Sequence, residues 1–263
     1  NLTPTEIELL DTMKTGNGCP MLDFLGGAAF CLIEKILSET KKPVGAGPIS
    51  AGGITLATRT ISAAGGNWNM LTAWEEDDIP TSSDDVVCRV DGTSGNLTVN
   101  VAASCKSIDF TFYSHLFTIS NIFNLYGSVT LSAAMSITVS GKFARWLFMG
   151  SPSGAKITSN GKNFGGVVTF NGTGDWTLQD AMATSGVLTL NSGSLSDGGF
   201  NLTAASFMSD VDATRVLTLT GTVALTGASG NLWYIRGTGF TLHATGSTIA
   251  MAGSGTVTGK YFG

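Results

Sequence analysis

The amino-acid sequence predicts a mainly β protein folded as a parallel β-helix, with a short helical segment at its N-terminus. Three observations favour this fold: a recurring apolar-Thr-apolar triplet, glycine-rich turn signals between the triplets, and a low content of charged residues, with 14 Lys and Arg and 19 Asp and Glu in 263 residues. A disordered chain would have more charge and fewer apolar residues. The triplets are centred on Thr98, Thr118, Thr130, Thr138, Thr169, Thr177, Thr189, Thr218 and Thr241.

Each triplet has the two-residue period of a half-buried strand, since its apolar residues share one face and threonine takes the other. The intervals between the central threonines cluster near one, two or three steps of about ten residues, the spacing of a strand plus a turn. The longer recurrences favour coils of a β-helix, in which threonine, serine and asparagine of successive coils form ladders. An antiparallel β-sandwich or jelly roll remains the alternative.

Residues 1–40 are predicted to be helical and to serve in docking or oligomerisation. Thr3-Pro4-Thr5-Glu6 resembles a helix start, and a second helix opens at Pro20. That second helix is apolar on most sides, so it must be buried. It either packs against another chain or caps the open end of the β domain within its own chain.

Residues 41–95 are predicted to be a linker followed by a connector, and residues 96–263 to be the β-helical body. The linker is rich in glycine and proline, and the connector contains Trp68, Trp74 and the acidic run from Glu75 to Asp78. The body contains only strands and turns, and Asn160-Gly161 marks one of those turns.

Charge and hydropathy exclude several classes of protein. With a net charge of −5 and a pI near 4.9, the chain has no basic stripe to bind nucleic acid. No apolar run is long enough to predict a membrane-spanning helix.

The four cysteines, Cys19, Cys31, Cys88 and Cys105, have no metal-ligand spacing, so a zinc site is not expected. They are interpreted as buried thiols, with a Cys88–Cys105 disulfide as the alternative.

Two groups of acidic residues in the body are candidates for catalysis, because glycosidic cleavage needs two facing carboxyl groups. Asp175 and Asp180 flank one predicted strand, and Asp210 and Asp212 lie near Arg215. Acids beside turns more often hydrogen-bond the loop, so no catalytic residue is assigned and the chain is predicted not to be an enzyme.

Other polar and aromatic residues allow a functional and a structural interpretation. The acids from Glu75 to Asp78, with Asp84 and Asp85, could bind a hard cation, but they lack the ligand spacing of a calcium loop, so a solvated loop is favoured and no metal is assigned. His115 and His243 are interpreted as structural. The five tryptophans could stack on sugar rings if exposed, but core positions are favoured.

The repeat segments resemble β-helical modules of bacteriophage virion proteins and of bacterial adhesins of the filamentous-haemagglutinin kind. The resemblance lies in residues 159–164, 187–195 and 199–203, and in a preceding segment that joins Gly66-Asn67-Trp68 and Trp74 to residues 79–87.

This resemblance implies a virion structural protein, such as a capsid decoration, fibre or tail component, which self-assembles as a homo-oligomer such as a trimer. The apolar helices predicted in residues 1–40, which the resemblance does not cover, are expected to contact other virion proteins, and no cofactor is assigned. The alternative is an extracellular bacterial adhesin or filament subunit that binds a surface glycan. A polysaccharide-degrading β-helix enzyme is the third hypothesis.

Overall fold

A computed structural model describes residues 57–259, which form a parallel β-solenoid. The helical segment predicted for residues 1–40, with Cys19 and Cys31, lies outside the described residues. The only described helix is a 3-10 turn at Leu71–Ala73. The strands are β1 (Thr58–Thr60), β2 (Gly66–Asn67), β3 (Asp85–Val87), β4 (Leu97–Val99), β5 (Ala103–Cys105), β6 (Ile108–Asp109), β7 (Leu116–Ile119), β8 (Ile122–Leu125), β9 (Val129–Thr130), β10 (Ser136–Val139), β11 (Arg145–Phe148), β12 (Ala155–Thr158), β13 (Val167–Phe170), β14 (Asp175–Leu178), β15 (Met182–Ala183), β16 (Val187–Leu190), β17 (Gly193–Ser196), β18 (Leu202–Ala204), β19 (Ser206–Asp210), β20 (Arg215–Thr218), β21 (Thr222–Leu225), β22 (Asn231–Arg236), β23 (Phe240–His243), β24 (Thr248–Met251) and β25 (Thr256–Thr258).

The strands stack into three faces. One face is a nine-stranded sheet ordered β1-β3-β6-β9-β12-β14-β17-β20-β23, and another is an eight-stranded sheet ordered from β25 back to β5. The third face is divided into two four-stranded sheets, β2-β4-β7-β10 and β15-β18-β21-β24. Most coils contribute one strand to each face, as β6, β7 and β8 do, whereas the coil of β12 and β13 has no strand in the third face. The parallel pairing of successive coils confirms the β-helix and excludes the sandwich.

The register explains the spacing of the threonine triplets. Thr98, Thr118 and Thr138 pair in one column of the third face, so the interval from each to the next is one coil. Thr169 and Thr189 form a similar column in the eight-stranded sheet. The shorter intervals are steps between faces. Those from Thr118 to Thr130 and from Thr130 to Thr138 together make one coil, and those from Thr169 to Thr177 and from Thr177 to Thr189 do the same. The predicted ladders of polar residues are therefore confirmed.

The solenoid begins earlier than the boundary predicted at residue 96. Strand β1 pairs with β3, β3 pairs with β6, and β2 pairs with β4. Residues 58–87 therefore belong to the same sheets as the body, and the predicted connector is in part the first coil. The boundary was misplaced because these coils carry short strands separated by a long loop between Asn67 and Asp85.

The interior is one continuous apolar core from Ile61 to Phe240. All five tryptophans are buried in it, which confirms their interpretation as core residues: Trp68, Trp74, Trp146, Trp176 and Trp233. Aromatic rings contact each other between coils, as in the stacked pairs Phe148–Phe170 and Phe207–Trp233, whose centroids lie 4.5 and 4.7 Å apart. Such contacts add to the free energy gained by burying apolar area.

Tight corners allow the coils to stack. After β13, a Cβ atom added to Gly172 would lie 1.9 Å from the carbonyl oxygen of Gly150 in the preceding coil. Any side chain here would force the two coils apart, so the corner requires glycine. The predicted Asn160-Gly161 turn is also confirmed, since both residues adopt a left-handed backbone conformation, with φ of 49° and 75°.

Candidate functional site

Arg215, the basic member of the strongest candidate catalytic group, has its side chain inside the solenoid. It opens β20 and is fully buried, with its guanidinium packed over the ring of Phe240. The guanidinium donates to the carbonyl oxygens of Thr238 (2.7 Å) and Arg236 (3.2 Å) and to Ser209 Oγ (2.8 Å). These contacts join β19, β20 and β22, so Arg215 has a structural position rather than a substrate-facing one.

The two acids proposed with Arg215 also make local contacts. Asp212 Oδ1 accepts from the backbone nitrogen of Thr238 at 2.7 Å and from its hydroxyl at 3.0 Å. Asp210 lies 4.0 Å from Arg236 Nε on the exposed side of β19. The structure therefore does not present Asp210, Asp212 and Arg215 together on one accessible surface, because Arg215 points inward and both acids lie outside.

The other candidate pair is not a pair of facing carboxyl groups either. Asp180 accepts hydrogen bonds from the backbone nitrogens of Ser159, at 2.7 Å, and Asn160. It thereby holds the turn of the preceding coil. Asp175 is exposed at the start of β14. One acid therefore stabilises a turn, and the other is a solvated surface residue.

Sequence reasoning did not identify the most buried acid of the described residues, Asp197. Its side chain accepts from the backbone nitrogens of Thr220 (2.7 Å), Gly221 (2.8 Å) and Gly199 (3.0 Å) and from the Thr220 hydroxyl. Burial acts to raise the pKa of this carboxyl, but the backbone hydrogen bonds outweigh burial, so the net shift is downward. Asp197 is thus an ionised carboxylate that links two coils through hydrogen bonds.

The acidic segment weighed as a cation site, with a solvated loop favoured, is mostly paired with bases or backbone. Asp78 contacts Arg59 at 2.5 Å, and Glu75 contacts Arg89. Asp84 accepts from the backbone nitrogen and hydroxyl of Thr81, and Asp85 lies 3.5 Å from Lys106 Nζ. Within residues 57–259, no group of three or more His, Cys, Asp or Glu side chains is arranged to hold a metal ion.

A shallow cleft lies beside this segment, lined by Thr60, Val87, Cys88 and three charged residues. Each of the two acids is paired with the same base, since Arg89 contacts both Glu75 and Asp91. Hydrogen bonds from Arg89 and Thr93 hold the pKa of Asp91 well below its usual range. The cleft therefore presents a closed ion-pair network rather than charges directed at a ligand.

The alternative Cys88–Cys105 disulfide is wrong, because both cysteines are free. Cys105 lies in β5 of the eight-stranded sheet, whereas Cys88 follows β3 of the nine-stranded sheet, so they do not occupy neighbouring strands. Burial raises the pKa of both thiols, and nearby Asp85 and Asp84 raise that of Cys105 further. Both therefore remain unreactive thiols near neutral pH.

The two histidines are exposed and lie far apart along the solenoid. His115 Nδ1 is 3.3 Å from Ser114 Oγ, its neighbour in sequence, and its ring lies 6.1 Å from that of Tyr113. His243 ends β23 in the last coil. The interpretation of both as structural remains a prediction.

Comparisons with protein-family models, with curated proteins and with solved structures found no match to this chain. Among residues 57–259, no helix is both long enough and apolar enough to span a membrane.

Proposed function

We propose that this chain is a structural component of a bacteriophage virion, such as a decoration, fibre or tail protein, and that it has no catalytic role. The observation that carries the proposal is the role of three acidic side chains in the described residues, two of which, Asp180 and Asp212, are candidates for catalysis in the sequence. Asp180, Asp197 and Asp212 hydrogen-bond the backbone of neighbouring coils. Such contacts stabilise a rigid rod, whereas a hydrolase needs carboxyl groups directed at its substrate.

Attachment is assigned to residues 1–40, and projection to the solenoid. The apolar residues from Met21 to Leu37 need a partner surface, and a homo-oligomer or another virion protein supplies one. A trimer is the form that the resemblance to β-helical fibres implies. The solenoid then presents a weakly charged surface supported by a continuous core.

Deletion of residues 1–40 tests this division of roles. We expect the truncated chain to retain a β-type circular dichroism spectrum and thermal midpoint but to be absent from purified particles, because only its attachment segment is lost. A full-length Phe30→Asp variant should show the same defect, and the matched Glu34→Gln variant should be incorporated normally. Normal incorporation of the truncated chain would refute attachment through residues 1–40.

The two rival functions predict different results. An adhesin would be recovered with the cell envelope and would bind a surface glycan. A polysaccharide-degrading enzyme would release oligosaccharides from a panel of acidic and neutral polysaccharides, and substitution of its acids would abolish that release.

A further inference from the structure

Two Asn-Gly pairs lie in the described part of the solenoid, and the fold surrounds them differently. Asn160-Gly161 lies in the turn after β12, and Asn171-Gly172 follows β13. Both asparagines are exposed, but Gly161 is exposed whereas Gly172 is buried. An Asn-Gly pair can rearrange without an enzyme, because glycine has no side chain to keep its backbone nitrogen away from the asparagine side chain. A third pair, Asn17-Gly18, lies outside the described residues.

The rearrangement is an intramolecular deamidation. The backbone nitrogen of the glycine attacks Cγ of the asparagine, a C–N bond forms, and the side-chain nitrogen leaves as ammonia with the proton of the attacking N–H. Water then opens the succinimide ring at either of its carbonyl groups, which gives aspartate or isoaspartate. The peptide unit between the two residues must rotate before the nitrogen reaches Cγ. The reaction therefore needs room around the glycine.

The two glycines differ in the room around them. A Cβ atom added to Gly161 would meet no atom within 4 Å apart from its chain neighbours, and the Gly161 nitrogen donates to Ser159 Oγ at 3.1 Å. A Cβ atom added to Gly172 would lie 1.9 Å from the carbonyl oxygen of Gly150, and the Gly172 nitrogen donates to the carbonyl oxygen of Phe148 at 3.0 Å. Rotation at Gly161 moves the peptide unit into solvent, whereas rotation at Gly172 must separate two stacked coils by local unfolding.

The hydrogen bonds of the two asparagine side chains alone would predict the opposite order of reactivity. Asn160 Nδ2 donates to the carbonyl oxygen of Leu131 at 2.6 Å, whereas Asn171 Nδ2 lies 3.7 Å from Met149 Sδ. Breaking one hydrogen bond slows the reaction by about tenfold or less, but opening two stacked coils disrupts a cooperative unit of the fold. Asn160 also has a φ of 49°, a backbone conformation that costs free energy in a residue other than glycine. Room around the glycine therefore decides which pair reacts.

We propose that Asn160 is a site of spontaneous deamidation in the folded protein and that the preceding coil protects Asn171. Conversion of Asn160 to aspartate replaces the Nδ2 donor to Leu131 with an oxygen. It also puts a negative charge beside Asp180, which accepts from the backbone nitrogens of Ser159 and Asn160. Both changes weaken contacts that join this turn to neighbouring coils, at the coil that has no strand in the third face. The proposal does not depend on the proposed function.

Ageing of the full-length chain in mildly alkaline buffer, followed by peptide mass spectrometry, tests the site. Trypsin releases residues 157–162 and chymotrypsin releases residues 171–176, so each asparagine is measured in a peptide of its own. We expect deamidation at least tenfold faster at Asn160 than at Asn171 in the folded chain. In urea the two rates should be comparable, because the coils no longer stack. Equal rates in the folded chain, or no deamidation at Asn160, would overturn the proposal.

Two variants test the consequence of the modification without ageing. Asn160→Asp reproduces the aspartate product, and we expect it to lower the thermal midpoint by about 2–4 °C. The matched Asn171→Asp variant retains an oxygen that accepts from Asn191 Nδ2, so its midpoint should equal that of the wild-type chain. A midpoint of Asn160→Asp equal to that of the wild-type chain would show that deamidation does not weaken the turn.

Discussion

At the scale of single residues, Asp197 shows how one carboxylate links two coils. It follows β17 and accepts from the backbone of Thr220 and Gly221, which follow β20. A buried carboxylate with several backbone donors is stable only while it is ionised, since protonation removes acceptor capacity. Its folded-state pKa lies below the ordinary value of 3.8.

The stability supplied by Asp197 should depend on pH. The pKa of Asp197 is lower in the folded than in the unfolded state. Its contribution to the free energy of unfolding is therefore complete above the pKa of the unfolded state and is lost as pH falls through the pKa of the folded state. We expect Asp197→Asn to lower the free energy of unfolding by about 1–2 kcal/mol at pH 7. In urea unfolding, the difference from wild type should shrink as pH falls below about 4. Asp175→Asn, at an exposed position, is the control, and a difference that stayed constant with pH would contradict this role.

The turn beside Asp197 could be predicted from Gly198-Gly199, but its hydrogen-bond partners could not. Thr220 is 23 residues away, and the sequence does not show which coil corner meets which. The same limit explains Asp212 and Arg215. Asp212 and Arg215 are close in sequence, which suggests that they act together. In the fold, each instead hydrogen-bonds mainly with backbone groups of residues 236–238.

At the scale of strands, the apolar-Thr-apolar triplets correctly predicted the strands that contain one. Several strands without a triplet were not predicted. β11 and β19 have no apolar-Thr-apolar triplet, yet both lie inside the eight-stranded sheet. Their interior positions alternate correctly, with Trp146 and Phe148 buried in β11. The strand pattern was therefore present, but unequal loops, such as the one between β2 and β3, obscured which strands share a face.

Arg215 is expected to matter to the packing of three strands rather than to catalysis. Arg215→Met keeps most of the buried volume but leaves Ser209 Oγ and the carbonyls of Arg236 and Thr238 without this donor. We expect a loss of about 3 kcal/mol in the free energy of unfolding, measured by urea titration. Arg145→Met, at a half-buried surface position, should cost about 0.5 kcal/mol or less. Equal effects of the two substitutions would contradict the structural role of Arg215.

At the scale of the whole molecule, the described chain is a rod with two unlike ends. Each coil contacts mainly its neighbours, so the core extends along the rod without requiring contacts between distant coils. One end is charged and its interior is closed, while the other is uncharged and apolar. The proposed role in a virion assigns attachment to residues 1–40 and projection to the solenoid.

Electron cryomicroscopy of particles purified from the natural source by density-gradient centrifugation tests that arrangement. If the proposal is correct, this chain co-sediments with nucleic-acid-filled particles, and their surface or tail carries rods with three flat faces and coils spaced about 4.8 Å apart. Recovery of the chain with the cell envelope, and particles that lack such rods, would contradict a role in the virion.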